Sequence, residues 1–351
     1  MPDGVPVFGI CGYSEAGKTT LIESLIPELV AEGLRIAVVK HDCHGLSVDT
    51  EGKDSDRFYK AGADVVAHGG DQAFFRAHGT IADLDSLLRL LVPHYDAVIV
   101  EGHKESPLTR KVWLLSEGEN QPPAVAGPVD LVLDRHINRP VAVLAWIRGH
   151  LTRCWLTQPI YAGILIGGQA SRMGGSKHLI KQGDETWVEH IVRTVEPYVQ
   201  RTVLLGEAAV PESLEVLTRL PDSPGMVGPR AGMLAAMRWA PGVSWLFLAC
   251  DMPLLSAEAV QWLLGSRRPG VWVILPRLAP GEGVEPLFAL YDSRARAMVE
   301  ACRRPSDLAG CPRVFMPVVP AVVAKAWRNV NTPQELRDFT REIIVDDEGV
   351  I

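Results

Sequence analysis

The stretch VFGICGYSEAGKTTLIESL, residues 7–25, decides the fold of the first half of this chain. It begins with an apolar run from Val7 to Cys11, passes through a glycine-containing turn, and ends in a segment with helical apolar spacing. This order predicts a buried strand, a tight turn and an amphipathic helix whose buried stripe is Ile22, Leu25, Ile26 and Leu29. The stretch is therefore typical of the start of an α/β domain.

The turn itself, GYSEAGKT at residues 12–19, fits the GxxxxGK[ST] template in the strand-to-helix setting that the template requires. Its backbone N–H groups and the helix N-terminus would surround a β-phosphate. A side chain at Gly12 or Gly17 would block the turn or the phosphate. Lys18 is expected to neutralise β- and γ-phosphate oxygens, and Thr19 to ligate Mg²⁺.

Three further features accompany this predicted phosphate site. Glu101 ends the apolar run at residues 97–100, where a metal-holding or water-orienting carboxylate would stand. The polar loop DTEGKDS at residues 49–55 is predicted to close over the γ-phosphate. His41, Cys43 and His44 do not predict a metal site, because no fourth ligand has matching spacing.

A second strand, turn and helix begin near residue 163 and predict a second α/β domain. Here LIGGQASRMGGSK, residues 165–177, precedes a helix whose stripe is Val188, Ile191, Val192 and Val195. Its basic residues, Arg172 and Lys177, would surround a triphosphate, and Gly167 and Gly168 would let the chain pass close to a base.

Two aspartates are candidates to complete the second site. Asp251 follows the apolar run WLFLAC at the carboxyl end of a predicted strand, where ligands bind in open α/β sheets, and we expect it to ligate Mg²⁺. Asp222, in LPDSPG, is a weaker candidate, because Asp beside Pro and Gly is also a turn residue.

Composition narrows the class of protein. Of the 351 residues, 47% are hydrophobic and 22% charged, which excludes a disordered chain and suits two domains. The net charge of −7 and the lack of Lys/Arg runs make nucleic acid an unlikely partner. Six scattered cysteines, no basic leader and no apolar span of about 18 residues lead us to expect a cytoplasmic protein with reduced thiols and no membrane partner.

The first half resembles a known family. GYSEAGKTTLIESLIPEL, AVVKHDCHG, DTEGKDSDRFYKAGA and DAVIVEGHK cover most of residues 5–105 and are similar to the GTP-binding accessory protein of molybdopterin-guanine dinucleotide biosynthesis. The resemblance implies nucleotide contacts at Gly17, Lys18, Thr19 and Thr20, and a functional carboxylate at Glu101. Cys43 stands where His is expected, and no NKxD guanine motif is present, so the nucleotide of this half stays open.

The second half, over roughly residues 160–340, resembles the molybdenum cofactor guanylyltransferases, which are Rossmann-like nucleotidyltransferases. The likeness rests on the LxGGxxxRMGxxK run with GPRAGM, EPLFALY and NVNTPQEL. It implies contacts to GTP or its Mg²⁺ at Leu165, Gly167, Lys177, Asp222 and Asp251, and to the metal or the pterin at Asn329 and Asn331. At Ile166, Arg230 and Glu285 this sequence differs from the residues that are usual in the family. We expect these differences to affect which nucleotide base is bound more than they affect the transfer chemistry.

These observations predict two α/β domains with largely parallel sheets: a P-loop NTPase-type sheet at 1–152 and a nucleotidyltransferase sheet at 161–340, with a linker at 153–160 and an acidic tail at 341–351. The apolar run PVAVLAWI, residues 140–147, is expected to be a strand of the first sheet. The expected activity is transfer of GMP from MgGTP to the phosphate of molybdenum-molybdopterin, with Arg172, Lys177 and Asp251 as catalytic residues. The P-loop half would bind GTP, hydrolyse it weakly at most, and serve molybdoenzymes or cofactor-insertion proteins. Two alternatives stay open, a molybdopterin cytidylyltransferase and a non-catalytic cofactor carrier.

Overall fold

The computed structural model describes residues 7–40, 49–78, 83–167 and 177–348, with side chains in the last range up to residue 342. The chain divides into two compact units, Met1–Leu156 and Thr157–Ile351. Each unit has its own sheet.

The N-terminal unit is built on a parallel sheet. Its strands are β1 (Val7–Cys11), β2 (Ile36–Lys40), β3 (Val65–Gly69), β4 (Gln72–Arg76), β5 (Ala97–Glu101), β6 (Lys111–Leu114) and β7 (Leu131–Leu133). Its helices are α1 (Lys18–Ala31), α2 (Asp54–Lys60), α3 (Leu84–Leu91) and α4 (Arg139–Thr157). In the described residues the sheet order is β2-β5-β1-β6-β7 with every pairing parallel, while β3 and β4 form a separate antiparallel hairpin.

The predicted opening of this unit is confirmed. All five residues of β1 are buried, and α1 buries Leu21, Ile22, Leu25 and Leu29 against the sheet, with Ile26 partly buried beside them. Because β5 pairs with β1 in the register Ile10 to Glu101, the carboxyl end of β5 lies next to the turn that follows β1. The topology therefore brings Glu101 to the loop that precedes α1.

One predicted strand is wrong. We expected PVAVLAWI, residues 140–147, to be a strand, but these residues lie in α4. The buried residues of α4 are Val143, Leu144, Ile147 and Leu151, which is the spacing of a helix face. Since α4 continues to Thr157, most of the segment expected to be a linker is helical as well.

The C-terminal unit has a mixed sheet. Its strands are β8 (Ile160–Leu165), β9 (Lys181–Gln182), β10 (Glu185–Thr186), β11 (Arg201–Leu205), β12 (Thr218–Leu220), β13 (Ser244–Ala249), β14 (Val273–Ile274), β15 (Ala289–Tyr291) and β16 (Val314–Phe315). Its helices are α5 (Trp187–Val195), α6 (Pro229–Trp239), α7 (Ala257–Gly265), α8 (Arg296–Ala301) and α9 (Pro333–Glu348).

The largely parallel sheet expected for this unit is found in one half of it. In the described residues the order is β12-β11-β8-β13-β15-β14-β16, and β12, β11, β8 and β13 are parallel. Strand β15 runs antiparallel to both β13 and β14. Helix α5 buries the predicted stripe and begins with a capping box between Thr186 and Glu189, which satisfies two backbone N–H groups.

The C-terminal tail also differs from expectation. Residues 341–348 continue α9 and are not a loose acidic extension. The helix is held early in its length, where Phe339 is buried against Trp187 in an edge-to-face contact with ring centroids 6.1 Å apart. An anchored first half lets the polar second half extend the same helix.

Candidate functional site

The loop after β1 requires glycine at two positions. Gly12 has φ 151°, and a Cβ there would lie 2.8 Å from the carbonyl oxygen of Leu114. Gly17 has φ 85°, in the left-handed region, and forms the N-terminal boundary of α1 without a side-chain cap. The first-turn N–H groups of α1 are therefore left for a ligand, as in a phosphate cradle.

The expected metal-binding side chains of this cradle lie together. The Thr19 hydroxyl donates to Glu101 Oε1 at 2.9 Å, and Glu101 is buried at the end of β5. A hydroxyl and a carboxylate oxygen in contact are suitable ligands for Mg²⁺ beside a phosphate. Lys18 Nζ donates to the Tyr13 carbonyl at 2.6 Å, and Thr20 is exposed in the first turn of α1.

The loop at residues 49–55 makes its polar contacts with its own neighbours. Asp49 accepts from Ser55 at 2.9 Å and from Arg76 at 3.3 Å. Asp56 accepts from the Gly52 N–H and from Arg76, and these contacts, together with Lys60, lower the pKa of Asp56 to about 2. Closure of this loop over a phosphate stays a prediction, and His41, Cys43 and His44 lie outside the described residues.

Arg139 is a residue of this cradle that sequence reasoning missed. Its guanidinium donates to the Ala16 carbonyl of the loop at 2.6 Å and also to carbonyls at the ends of β6 and β7. Arg139 is 123 positions away from Ala16, and no motif relates the two. Only the order of the strands brings them together.

The second site forms where β13 ends. Lys177 Nζ lies 3.2 Å from Asp251 Oδ2 and donates to Asn331 Oδ1 at 2.7 Å. The Val330 N–H donates to the Asp251 carbonyl at 3.0 Å, which fixes residues 329–331 beside the strand end. The structure thus brings together Lys177, Asp251 and both predicted asparagines.

Two oxygens at this site are buried without a hydrogen-bond partner in the described part of the chain. They are Asp251 Oδ1 and Asn329 Oδ1. A buried acceptor that lacks a donor costs about 1–3 kcal/mol, so such an atom in a native protein calls for a ligand. Carboxylate and amide oxygens are the donors that Mg²⁺ takes, and the residues present fit that ion. No cluster of three or more His, Cys, Asp or Glu side chains placed to hold a metal is found among the described residues.

Among the other predicted or nearby acidic groups, Glu285 is the one whose charge interacts with that of Asp251. Burial, and secondarily the charge of Asp251, raises the pKa of Glu285, a residue not predicted to act in the site. Burial and the nearby charge of Glu207 raise the pKa of Asp222. Asp222 Oδ1 lies close to Gly232, where a Cβ would come within 3.4 Å of it. The interaction between Glu285 and Asp251 shows that negative charge accumulates beside Asp251, which favours a cation there.

The start of the predicted triphosphate loop is tightly placed. Both the Ile166 and Gly167 N–H groups donate to the Leu205 carbonyl, at 3.0 and 3.2 Å. A Cβ at Gly206 would lie 2.7 Å from Gly167 Cα, so the two backbones touch. Leu165 and Ile166 are buried side chains, and Ile166 belongs to the core beneath the sheet, not to an open base pocket. Gly168 and Arg172 lie outside the described residues.

No helix within the described ranges combines the length and apolar character needed to cross a membrane.

Family models match both halves of the chain. Residues 7–132 match Molybdopterin guanine dinucleotide synthesis protein B, and residues 162–315 match the MobA-like NTP transferase domain. The two resemblances drawn from the sequence are thereby confirmed.

Individual relatives agree with these models. Over 31% of this chain, the molybdopterin-guanine dinucleotide biosynthesis adapter protein of Haemophilus influenzae is 42% identical, and the aligned segment spans 64% of that protein. The adapter protein of Escherichia coli is 33% identical over 38% of this chain and 75% of its own length. The molybdenum cofactor guanylyltransferase of Shewanella sp. is 31% identical over 52% of this chain and 96% of its own length.

The chain therefore belongs to both families, with a molybdopterin-guanine dinucleotide adapter domain in its N-terminal unit and a MobA-like nucleotidyltransferase domain in its C-terminal unit.

Proposed function

We propose that the C-terminal unit transfers GMP from MgGTP to the terminal phosphate of molybdenum-molybdopterin and releases pyrophosphate. The observation that carries this proposal is the group at the end of β13, where Lys177 contacts both Asp251 and Asn331, and where Asp251 Oδ1 has no hydrogen-bond partner among the described residues. The Lys177 ammonium can contact phosphate oxygens, and the Asp251 oxygen beside it can bind a metal ion. A triphosphate bound with its metal ion needs both groups.

The roles follow from the contacts. Asp251 Oδ1 and Asn329 Oδ1 would hold Mg²⁺, which when bound supplies charge stabilisation at the α-phosphoryl group. Lys177 is held between Asp251 and Asn331 and retains N–H capacity for phosphate oxygens, since an ammonium has three donors. Arg172 would grip the phosphates from the loop that precedes Lys177.

The reaction needs positioning more than proton transfer. A pterin phosphate oxygen attacks the α-phosphorus of GTP, a new P–O bond forms, and the bond to the bridging oxygen of pyrophosphate breaks. Because the attacking phosphate is already an anion, no strong general base is required. Rate enhancement then comes from in-line alignment and electrostatic stabilisation.

We assign the N-terminal unit a supporting role in the same pathway step. Its cradle of Gly12, Gly17 and Lys18 would bind GTP, with Thr19 and Glu101 toward the Mg²⁺. Glu101 is buried and accepts a hydrogen bond from Thr19, so we assign it to metal binding and expect hydrolysis there to be weak. Delivery of the finished cofactor to molybdoenzymes or cofactor-insertion proteins is the matching role for this unit.

A multiple-turnover assay of pyrophosphate release tests the transfer. The purified chain is given Mg²⁺ and GTP, CTP or ATP, each with and without molybdenum-molybdopterin. We expect release that requires both GTP and the pterin and continues for many turnovers. Release with CTP alone of the three would make the unit a cytidylyltransferase, and binding without turnover would make it a carrier. The Lys18→Met variant, altered only in the N-terminal unit, should keep wild-type release.

A further inference from the structure

Within the described ranges, each side-chain hydrogen bond of Arg139 goes to a backbone carbonyl. Nη1 donates to Ala16 at 2.6 Å, Nη2 to Leu115 at 2.7 Å and Leu133 at 3.2 Å, and Nε to Asp134 at 2.9 Å. These carbonyls belong to three segments: the phosphate loop, the end of β6 and the end of β7. One rigid planar group therefore fixes the loop to the sheet.

The bond to Ala16 determines the direction of the next peptide N–H. In a planar trans peptide the carbonyl and the following N–H point in opposite directions. Since the Ala16 carbonyl points to Arg139, the Gly17 N–H points away from Arg139. That N–H has no hydrogen-bond partner within the described residues. It is thus left as a donor for a ligand.

Arg139 also brings a positive charge to the loop. Among the described residues no carboxylate forms a salt bridge with Arg139, although the Asp134 charge acts on it. A Cβ at Gly17 would lie 3.7 Å from Nη1. A cationic donor on a peptide carbonyl polarises the amide and strengthens the N–H at its other end. Arg135, four residues earlier, is a useful contrast. Its side chain is half-exposed, and its charge is paired with Glu117 at 3.7 Å.

We propose that Arg139 is a positioning residue for phosphate binding, which holds and polarises the Ala16–Gly17 peptide so that the Gly17 N–H donates to a nucleotide β-phosphate. This inference rests on the nucleotide-binding role proposed above for the N-terminal unit. It extends that role to a residue outside the GxxxxGK[ST] motif. The ligand class is a nucleoside di- or triphosphate.

The test uses the full chain and calorimetric titration with MgGTP and MgGDP. The N-terminal site is defined as the binding that Lys18→Met removes. At that site Arg139→Met should weaken binding about 10- to 100-fold, because a charge-assisted contact is lost. Arg139→Lys, which keeps the charge but not the planar fork, should fall between Arg139→Met and wild type. Arg135→Met is the matched control and should stay within about twofold.

A spectroscopic readout separates positioning from general stability. With glycine-selective ¹⁵N labelling, the Gly17 amide proton of the wild type should move downfield on MgGDP binding. In Arg139→Met at saturating MgGDP this shift should be smaller. Arg139→Lys should restore part of the shift.

The outcomes are distinct. If Arg139→Met binds like wild type, or Arg135→Met is weakened as much as Arg139→Met, the inference is overturned. A full Gly17 shift in Arg139→Met also overturns it. If Lys18→Met loses no nucleotide binding at all, the proposed role of the N-terminal unit fails first. Loss in Lys18→Met without loss in Arg139→Met refutes only the inference.

Discussion

Replacement of Asp251 by asparagine separates binding from chemistry in the C-terminal unit. At 3.2 Å, an ion pair such as Lys177 with Asp251 has a Coulomb energy of about 5 kcal/mol at an effective dielectric of 20. The side chains are 19% and 17% exposed, and Lys177 keeps its bond to Asn331, so the net loss of folding stability should be only about 1–2 kcal/mol. The Asp251→Asn protein should therefore remain folded.

Turnover should fall much further than stability. The substitution removes the charge of the orphaned Oδ1, the atom assigned to Mg²⁺, and metal charge stabilisation of about 4 kcal/mol corresponds to about 10³-fold in kcat. Affinity for GTP, held also by Lys177 and the loop, should change about tenfold or less. The assay is pyrophosphate release at saturating GTP and Mg²⁺, with GTP affinity measured by titration.

The matched control is Asp184→Asn, which makes the same charge change at an exposed turn. It should keep wild-type kcat. Near-normal turnover in Asp251→Asn would refute the metal assignment. So would a loss of GTP affinity with kcat unchanged, because the residue would then contribute only to ground-state binding.

Three further predictions concern packing, pH and thiol reactivity. Gly163→Ala should destabilise the C-terminal unit by about 1–3 kcal/mol in thermal unfolding, because its Cβ would lie 2.7 Å from the Phe247 ring; Gly265→Ala, in open space, should be near neutral. Ionised Asp56 stabilises the N-terminal unit at pH values above the pKa that Asp56 has in the unfolded chain, and this stabilisation is lost as the pH falls from about 4 to about 2. The thermal unfolding midpoints of wild type and Asp56→Asn should therefore differ at pH 7 and converge between about pH 4 and about pH 2. Burial and the Asp251 charge raise the pKa of Cys250 to about 12, so its alkylation by iodoacetamide at pH 8 should be at least about 100-fold slower than that of an unperturbed thiol. Equal stability of both alanine variants, parallel pH curves, or rapid alkylation would contradict the respective prediction.

Local patterns in the sequence predict the elements that carry the sites. The helix stripes of α1 and α5 follow from apolar periodicity, and the loop after β1 follows from its glycines and its place between strand and helix. The segment at residues 140–147 misled because a run of Val, Ala, Leu and Ile suits a buried strand and a buried helix equally. The segment is part of α4, and the 19-residue length of that element, not the composition of the segment, is what distinguishes a helix from a strand here.

The long-range contacts of the sites are not contained in any local pattern. Lys177 meets Asn331 across 154 positions, and Arg139 meets Ala16 across 123. Lys177 and Asp251 could be predicted because each stands at a recognisable position in a sequence pattern. Arg139 lies in no such pattern, and its partners are backbone carbonyls, which every residue possesses. Such contacts depend on the strand order of the folded sheet.

The most direct test of the proposed guanylyl transfer is to follow the α-phosphorus of GTP. The purified chain is incubated with Mg²⁺, molybdenum-molybdopterin and GTP labelled with ³²P at the α-position, and the pterin product is separated from free nucleotides. We predict that the label enters a pterin guanine dinucleotide, in amounts exceeding the enzyme, and that Asp251→Asn slows this labelling about 10³-fold. Label that stays in GTP or GMP, or that enters the pterin only from CTP, would contradict the account.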